Sequence, residues 1–112
     1  MARTGRLTSS ADYRRTYAEG KRATASSISA HVRITDDPRP ARVGVTAVRG
    51  LGGAVQRNRA KRRVREAVRT IRPEIKDGSD VIVVATPRAL SENFQEMVDN
   101  LRRALAQAGG CR

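Results

Sequence analysis

The chain has 112 residues, enough for one domain, and carries 23 Lys and Arg against 11 Asp and Glu, a net charge of +12. One Cys, one His and no Trp exclude a disulfide framework and a cysteine zinc site, and leave little for His-based catalysis. No apolar run approaches the ~18 residues of a membrane span, and no hydrophobic signal core opens the chain, so the expectation is a small cytoplasmic protein whose partner is a polyanion.

In chain order, residues 9–19 read as a short helix. Ser9 is its cap, Asp12 stands at the capping-box position and Gly20 is its stop. Tyr13 and Tyr17 are four apart and share one face. Residues 24–35 read as a strand, because Ile28, Ala30, Val32 and Ile34 alternate with Ser27, Ser29, His31 and Arg33. There is room for an extra short strand near residues 21–26. Asp36-Asp37-Pro38-Arg39-Pro40 is a turn, residues 41–48 are a second β-prone run, and the short connection predicts an antiparallel pair.

Gly50, Gly52 and Gly53 break that pattern and lead into a helix over residues 54–72, with Ala60, Val64, Ala67, Val68 and Ile71 as its apolar stripe and Pro73 as its stop. The continuous run Val81-Ile82-Val83-Val84-Ala85 reads as a buried central strand within residues 80–86. A last helix runs from about Ser91 to Ala108. Phe94, Met97, Val98, Leu101, Ala104, Leu105 and Ala108 form its apolar face, with Phe94 and Met97 assigned to the core. Cys111 falls at a frayed terminus. The sum is an α+β sandwich: one mixed sheet with about three helices packed on it.

The charge is segregated along the chain. Residues 1–72 hold 18 basic and 5 acidic side chains, whereas residues 73–112 hold 5 and 6. The stretch from Arg57 to Arg72 has eight basic residues and a single acid, Glu66. Arg dominates it, and a guanidinium fork grips phosphate bidentately. On a helix, such a run meets several phosphates at once and displaces their counterions. The glycine spacing matches neither the Walker nor the dinucleotide pattern, so no nucleotide site is read from it. Asp36, Asp37, Asp77 and Asp80 flank Gly or Pro and read as turn formers, not as metal ligands.

The segment Gly52-Gly53-Ala54-Val55-Gln56-Arg57-Asn58-Arg59-Ala60-Lys61-Arg62-Arg63-Val64-Arg65-Glu66 closely resembles the signature of the bacterial ribonuclease P protein component. Arg6-Leu7 with Asp12-Tyr13 and Tyr17-Ala18-Glu19-Gly20 is similar to that family's opening helix. Arg42-Val43-Gly44-Val45-Thr46 and Asp80-Val81-Ile82-Val83-Val84 are similar to two of its strands. The resemblance covers about residues 6–108 of a single domain spanning 1–112. It implies a two-layer α/β sandwich like a domain of ribosomal protein S5, with a left-handed βαβ crossover.

The resemblance also implies a function. The chain would be the monomeric protein subunit of a ribonucleoprotein, one copy per RNA, that removes the 5′ leader of precursor tRNA. Catalysis would belong to the RNA subunit and its Mg2+, with no catalytic or metal-holding residue in the protein. Arg57, Asn58, Arg59, Lys61, Arg62 and Arg65 would meet RNA. Tyr13, Tyr17 and His31 would line the cleft for the single-stranded leader, where unstacked bases lie on aromatic faces. Position 31 is commonly Tyr or Phe in similar proteins, and the Ser-Lys-Lys segment common before the basic helix reads Val48-Arg49-Gly50 here. Two other classes share part of this pattern. A stand-alone RNA- or DNA-binding module shares the basic helix, although the flanking strands argue against a helix-turn-helix regulator. A protein nuclease needs a His pair or carboxylate cluster that the sequence lacks.

Overall fold

The computed structural model describes residues 6–112. Helix α1 spans Ser10–Glu19, followed by strands β1 (Lys21–Ala25), β2 (Ile28–Ile34) and β3 (Arg42–Ala47). Helix α2 spans Ala54–Ile71, strand β4 Ser79–Ala85 and helix α3 Phe94–Gln107, with 3-10 turns at Arg72–Glu74 and Pro87–Leu90. The termini of α1 are set by the residues the pattern names. The Ser9 hydroxyl accepts from the Asp12 N–H at 3.4 Å, and the Gly20 N–H closes on Thr16 O.

The sheet order is β1-β2-β4-β3. β1–β2 and β2–β4 are antiparallel, and β3–β4 is parallel. β3, α2 and β4 therefore form a βαβ unit, consistent with an α+β fold. The expected β2–β3 pair does not form, because β4 lies between them. A strand as apolar as Val81-Ile82-Val83-Val84-Ala85 is buried on both faces only in the sheet interior. The single strand expected over residues 24–35 is a hairpin. Its turn is Ser26-Ser27, with Ser26 at φ 53°, and the alternate short strand near residues 21–26 is β1.

Alternation divides the sheet into two faces. Ile28, Ala30, Val32, Val43, Val81, Val83 and Ala85 meet α2 and α3 in one core that also holds Val64, Ile71, Met97, Leu101 and Leu105. Phe94 is not part of it. At the first position of α3 it stands 38% exposed, and the inward stripe begins at Met97. The helix starts later than Ser91 because Pro87 opens a 3-10 turn and the Asn93 side chain caps Gln95 and Glu96. The C-terminus is tied down, contrary to the expected fraying. Cys111 bridges to Ile75, and the Arg112 N–H donates to Glu74 O at 2.8 Å.

The opposite sheet face is floored by cross-strand rows. One row is His31–Ile82–Gly44 and the next is Arg33–Asp80–Arg42. Helix α1 crosses both, with Thr16 fully buried beneath it. Gly44 is required there: a Cβ on it would lie 2.0 Å from the Tyr13 hydroxyl.

Candidate nucleic-acid interface

Helix α1 is pinned at both ends. Near its start, Asp12 pairs with Arg42 of β3 at 3.2 Å, and at its end Glu19 pairs with Arg33 of β2 at 3.9 Å. Those two arginines converge on Asp80, whose side chain is 0% exposed. One Asp80 oxygen accepts from Arg39 at 2.8 Å and Arg42 at 2.9 Å. The other accepts from Arg33 at 2.9 Å and Arg42 at 3.0 Å. Burial pushes the Asp80 carboxyl up, but the Arg42 hydrogen bonds and the charges of Arg39 and Arg42 outweigh it and hold the group below its ordinary value. This hub went unseen in sequence. Its four members are scattered over positions 33–80, and only strand register brings them together.

Pinned this way, α1 brings the three aromatic-cleft candidates to one face. The Tyr17 ring meets His31 edge-on, with centroids 4.7 Å apart at 73°. Tyr13 lies over Gly44. Tyr17 is 46% exposed, and Tyr13 and His31 are half-buried. Burial pushes both tyrosines up and pushes His31 down, with Arg22 adding to the effect. All three rings are therefore uncharged at neutral pH and suited to stacking. Beside α1 the floor continues as Ser29, Val84 and Thr46.

Helix α2 docks by its stripe of Ala60, Val64, Ala67, Val68 and Ile71, all buried. Gly53 caps it without a side chain, and its first turn has no acid, so its positive end is uncompensated. Asn58, Arg59, Arg62 and Arg65 are exposed, and Lys61 is half-buried. Arg57 differs from them: its guanidinium donates to Val48 O at 3.2 Å and holds the glycine-containing loop. Arg63, on the other flank, donates to Ala89 O and Glu92 O at 2.7 Å each and fastens α2 to the start of α3.

The basic helix and the aromatic face are neighbours. A groove of about 570 Å³ opens between them, with Tyr13 on one wall and Arg65 on another. Arg6 and Arg65 both lie near enough to the Tyr13 hydroxyl to act against its upward shift.

Of the four aspartates Asp36, Asp37, Asp77 and Asp80, three have arginine partners. Both Asp80 oxygens are saturated by arginine. Asp37 pairs with Arg39 and Asp77 with Arg112. No group of three or more His, Cys, Asp or Glu able to hold a metal comes together among the described residues. Nor is any helix among them long and apolar enough to cross a membrane.

The chain is similar to known proteins over nearly its whole length. The family described as Ribonuclease P matches residues 1–109. The ribonuclease P protein component of Symbiobacterium thermophilum is 38% identical over 97% of this chain and 95% of its own length. That of Gluconacetobacter diazotrophicus is 34% identical over 96% and 93%. Among solved structures, the RNase P protein of Thermotoga maritima is similar at TM-score 0.75 and 25% identity, covering 88% of this chain and 92% of that one. The Staphylococcus aureus RNase P protein shares the fold at TM-score 0.81 and 24% identity, covering 98% and 100%.

Proposed function

The chain belongs to the ribonuclease P protein family, and we propose that it binds the catalytic RNA and the 5′ leader of precursor tRNA, so that RNA-catalysed cleavage releases the leader and makes the mature tRNA 5′ end. The observation that carries this reading is the continuity of two surfaces. Tyr13, Arg6 and Arg65 line one groove, so a strand leaving the cleft meets a cation of the basic helix. In this reading Tyr13, Tyr17 and His31 receive unstacked leader bases. Arg57, Asn58, Arg59, Lys61, Arg62 and Arg65 meet phosphate, with Arg57 also holding the loop before them through Val48 O. Mg2+ is supplied with the RNA and substrate, and the protein acts as one cytoplasmic copy per RNA.

The test is reconstitution at low magnesium. The protein alone should leave precursor tRNA intact and should restore leader removal when added to a bacterial ribonuclease P RNA. No stimulation of a competent RNA would refute the reading, and cleavage by the protein alone would point to a nuclease. Arg62→Ala should weaken RNA binding and make its salt dependence shallower by about 0.7–0.9.

A further inference from the structure

His31 is the single histidine of the chain, and histidine is the side chain whose ordinary charge change falls between pH 5 and 8. It stands half-buried on the sheet face that α1 crosses, while α2 and α3 cover the other face. On β1 its register partner is Arg22, whose guanidinium donates to Ser29 Oγ at 3.5 Å. On β4 its partner is the apolar Ile82. From α1 comes the Tyr17 ring, edge-on at 4.7 Å, a phenol that burial pushes further from ionising. The acids of this face are turned to arginines: Asp80 to Arg33, Arg39 and Arg42, Glu19 to Arg33 and Asp12 to Arg42. The ring therefore has cations and a neutral phenol for neighbours and, among the described residues, no unengaged acid. Burial and Arg22 accordingly push its value down. An anion brought beside the ring reverses that balance, because it favours the charged form.

We propose that His31 and Arg22 form a proton-linked phosphate contact, in which the imidazole takes up a proton from water as single-stranded RNA enters the cleft and then holds a backbone phosphate together with Arg22. A neutral imidazole has one N–H donor, whereas the protonated ring has two, and charged donors make the stronger bonds to phosphate. The inference rests on the reading that RNA enters the aromatic cleft. It adds Arg22 to that surface and makes its affinity depend on pH. The sign follows from linkage. A group whose value rises on binding tightens the complex fully below its free value, and the gain is lost as pH climbs through the bound value. A rise of one unit is worth about tenfold in affinity.

The test uses the full-length protein and a 5′-hydroxyl oligouridylate, in which neither uracil nor linkage titrates between pH 5.8 and 8. Fluorescence anisotropy with a pH-insensitive dye, at constant ionic strength, should show affinity rising about three- to tenfold from pH 8 to pH 5.8. Whatever its affinity at pH 8, the His31→Phe variant should give a flat profile. Arg22→Gln should make the salt slope shallower by about 0.7, and an unchanged slope would overturn its share in the contact. If the Phe variant unfolds, as circular dichroism would reveal, NMR titration of the one imidazole in the unaltered protein decides: its value should be higher with RNA bound than without. In the holoenzyme, a pH dependence seen only with leader-bearing precursor assigns the phosphate to the leader, and one seen in assembly assigns it to the catalytic RNA. A protein that binds RNA with a flat profile, with an imidazole value unchanged or lowered by RNA, or with a dependence that survives His31→Phe, overturns the contact alone. A protein that neither binds oligouridylate nor stimulates a competent ribonuclease P RNA overturns the underlying reading instead.

Discussion

Replacing Asp80 by Asn tests the hub that orients α1. The carboxylate is 0% exposed and accepts four charged hydrogen bonds of 2.8–3.0 Å from Arg33, Arg39 and Arg42. The amide would leave three guanidinium groups around a neutral side chain and point its own N–H groups at donors. Breaking a buried ion pair in this way costs about 3–5 kcal/mol. The arginines are 16–30% exposed and keep their outer partners Glu19, Asp37 and Asp12, so part of the loss relaxes into water and the lower end, about 3 kcal/mol, is expected. Against a total of ~6–17 kcal/mol for a chain of this length, the variant should fold but be clearly weakened, with a lower urea midpoint at unchanged slope. Acid adds a second readout. A carboxyl held below its ordinary value gives stability that is complete above ~3.9 and is lost as pH falls through the folded value. The variant should lack that part of the acid limb. A loss below about 1 kcal/mol, with the acid limb intact, would refute the reasoning.

Gly44→Ala places a methyl 2.0 Å from the Tyr13 hydroxyl and should cost about 1–3 kcal/mol by overpacking. A Tyr13→Ala background should abolish most of that cost, and additive losses in a double-mutant cycle would contradict the contact. Burial pushes His31 below its ordinary value, so the unfolded chain takes up more protons just below pH ~6.5 and stability should fall as pH drops from there. His31→Phe should flatten that step in melts between neutral pH and pH 5; an unchanged step would place its origin elsewhere. Arg63→Ala should lower stability through the freed Ala89 and Glu92 carbonyls by about 1–3 kcal/mol, and equal stability in urea would count against that anchoring role.

The elements that could be read from sequence are those whose signals are local. Ser9 and Gly20 bound α1, the stripe from Ala60 to Ile71 defines α2, and the unbroken Val81–Ala85 run marks a strand inside the sheet. What escaped depends on partners distant in sequence. The turn at Ser26-Ser27 carries no Gly or Asn; it is held by Glu92, to which both serine hydroxyls donate. The place of β4 between β2 and β3 follows from the βαβ connection and not from the short Asp36–Pro40 loop. The same divide runs through the candidate site. Sequence located the cationic helix and the aromatic face, but nothing in a run of arginines distinguishes Arg62, which is exposed, from Arg57 and Arg63, which hold backbone carbonyls.

The charge asymmetry explains where the field is left over. Residues 1–72 have 18 cations and 5 acids, so the fold must borrow counter-charge from the remaining third. Asp80 answers Arg33, Arg39 and Arg42 together, and the carbonyls of Ala89 and Glu92 answer Arg63. Little acid is then left for the outer side of α2 or the β3-edge groove, where Glu66 is already taken by Arg69. Asp12, Glu19 and Asp80 are used where α1 joins the sheet, and Glu74, Asp77 and Asp99 pair with Arg102 and Arg112, so none of them offsets those surfaces. An added carboxylate on the groove wall, such as Thr8→Glu at an exposed lining position, should for the same reason lower RNA affinity while leaving the Asp80 hub and the fold in place. A variant that bound RNA unchanged would show that the remaining field does not act through this groove.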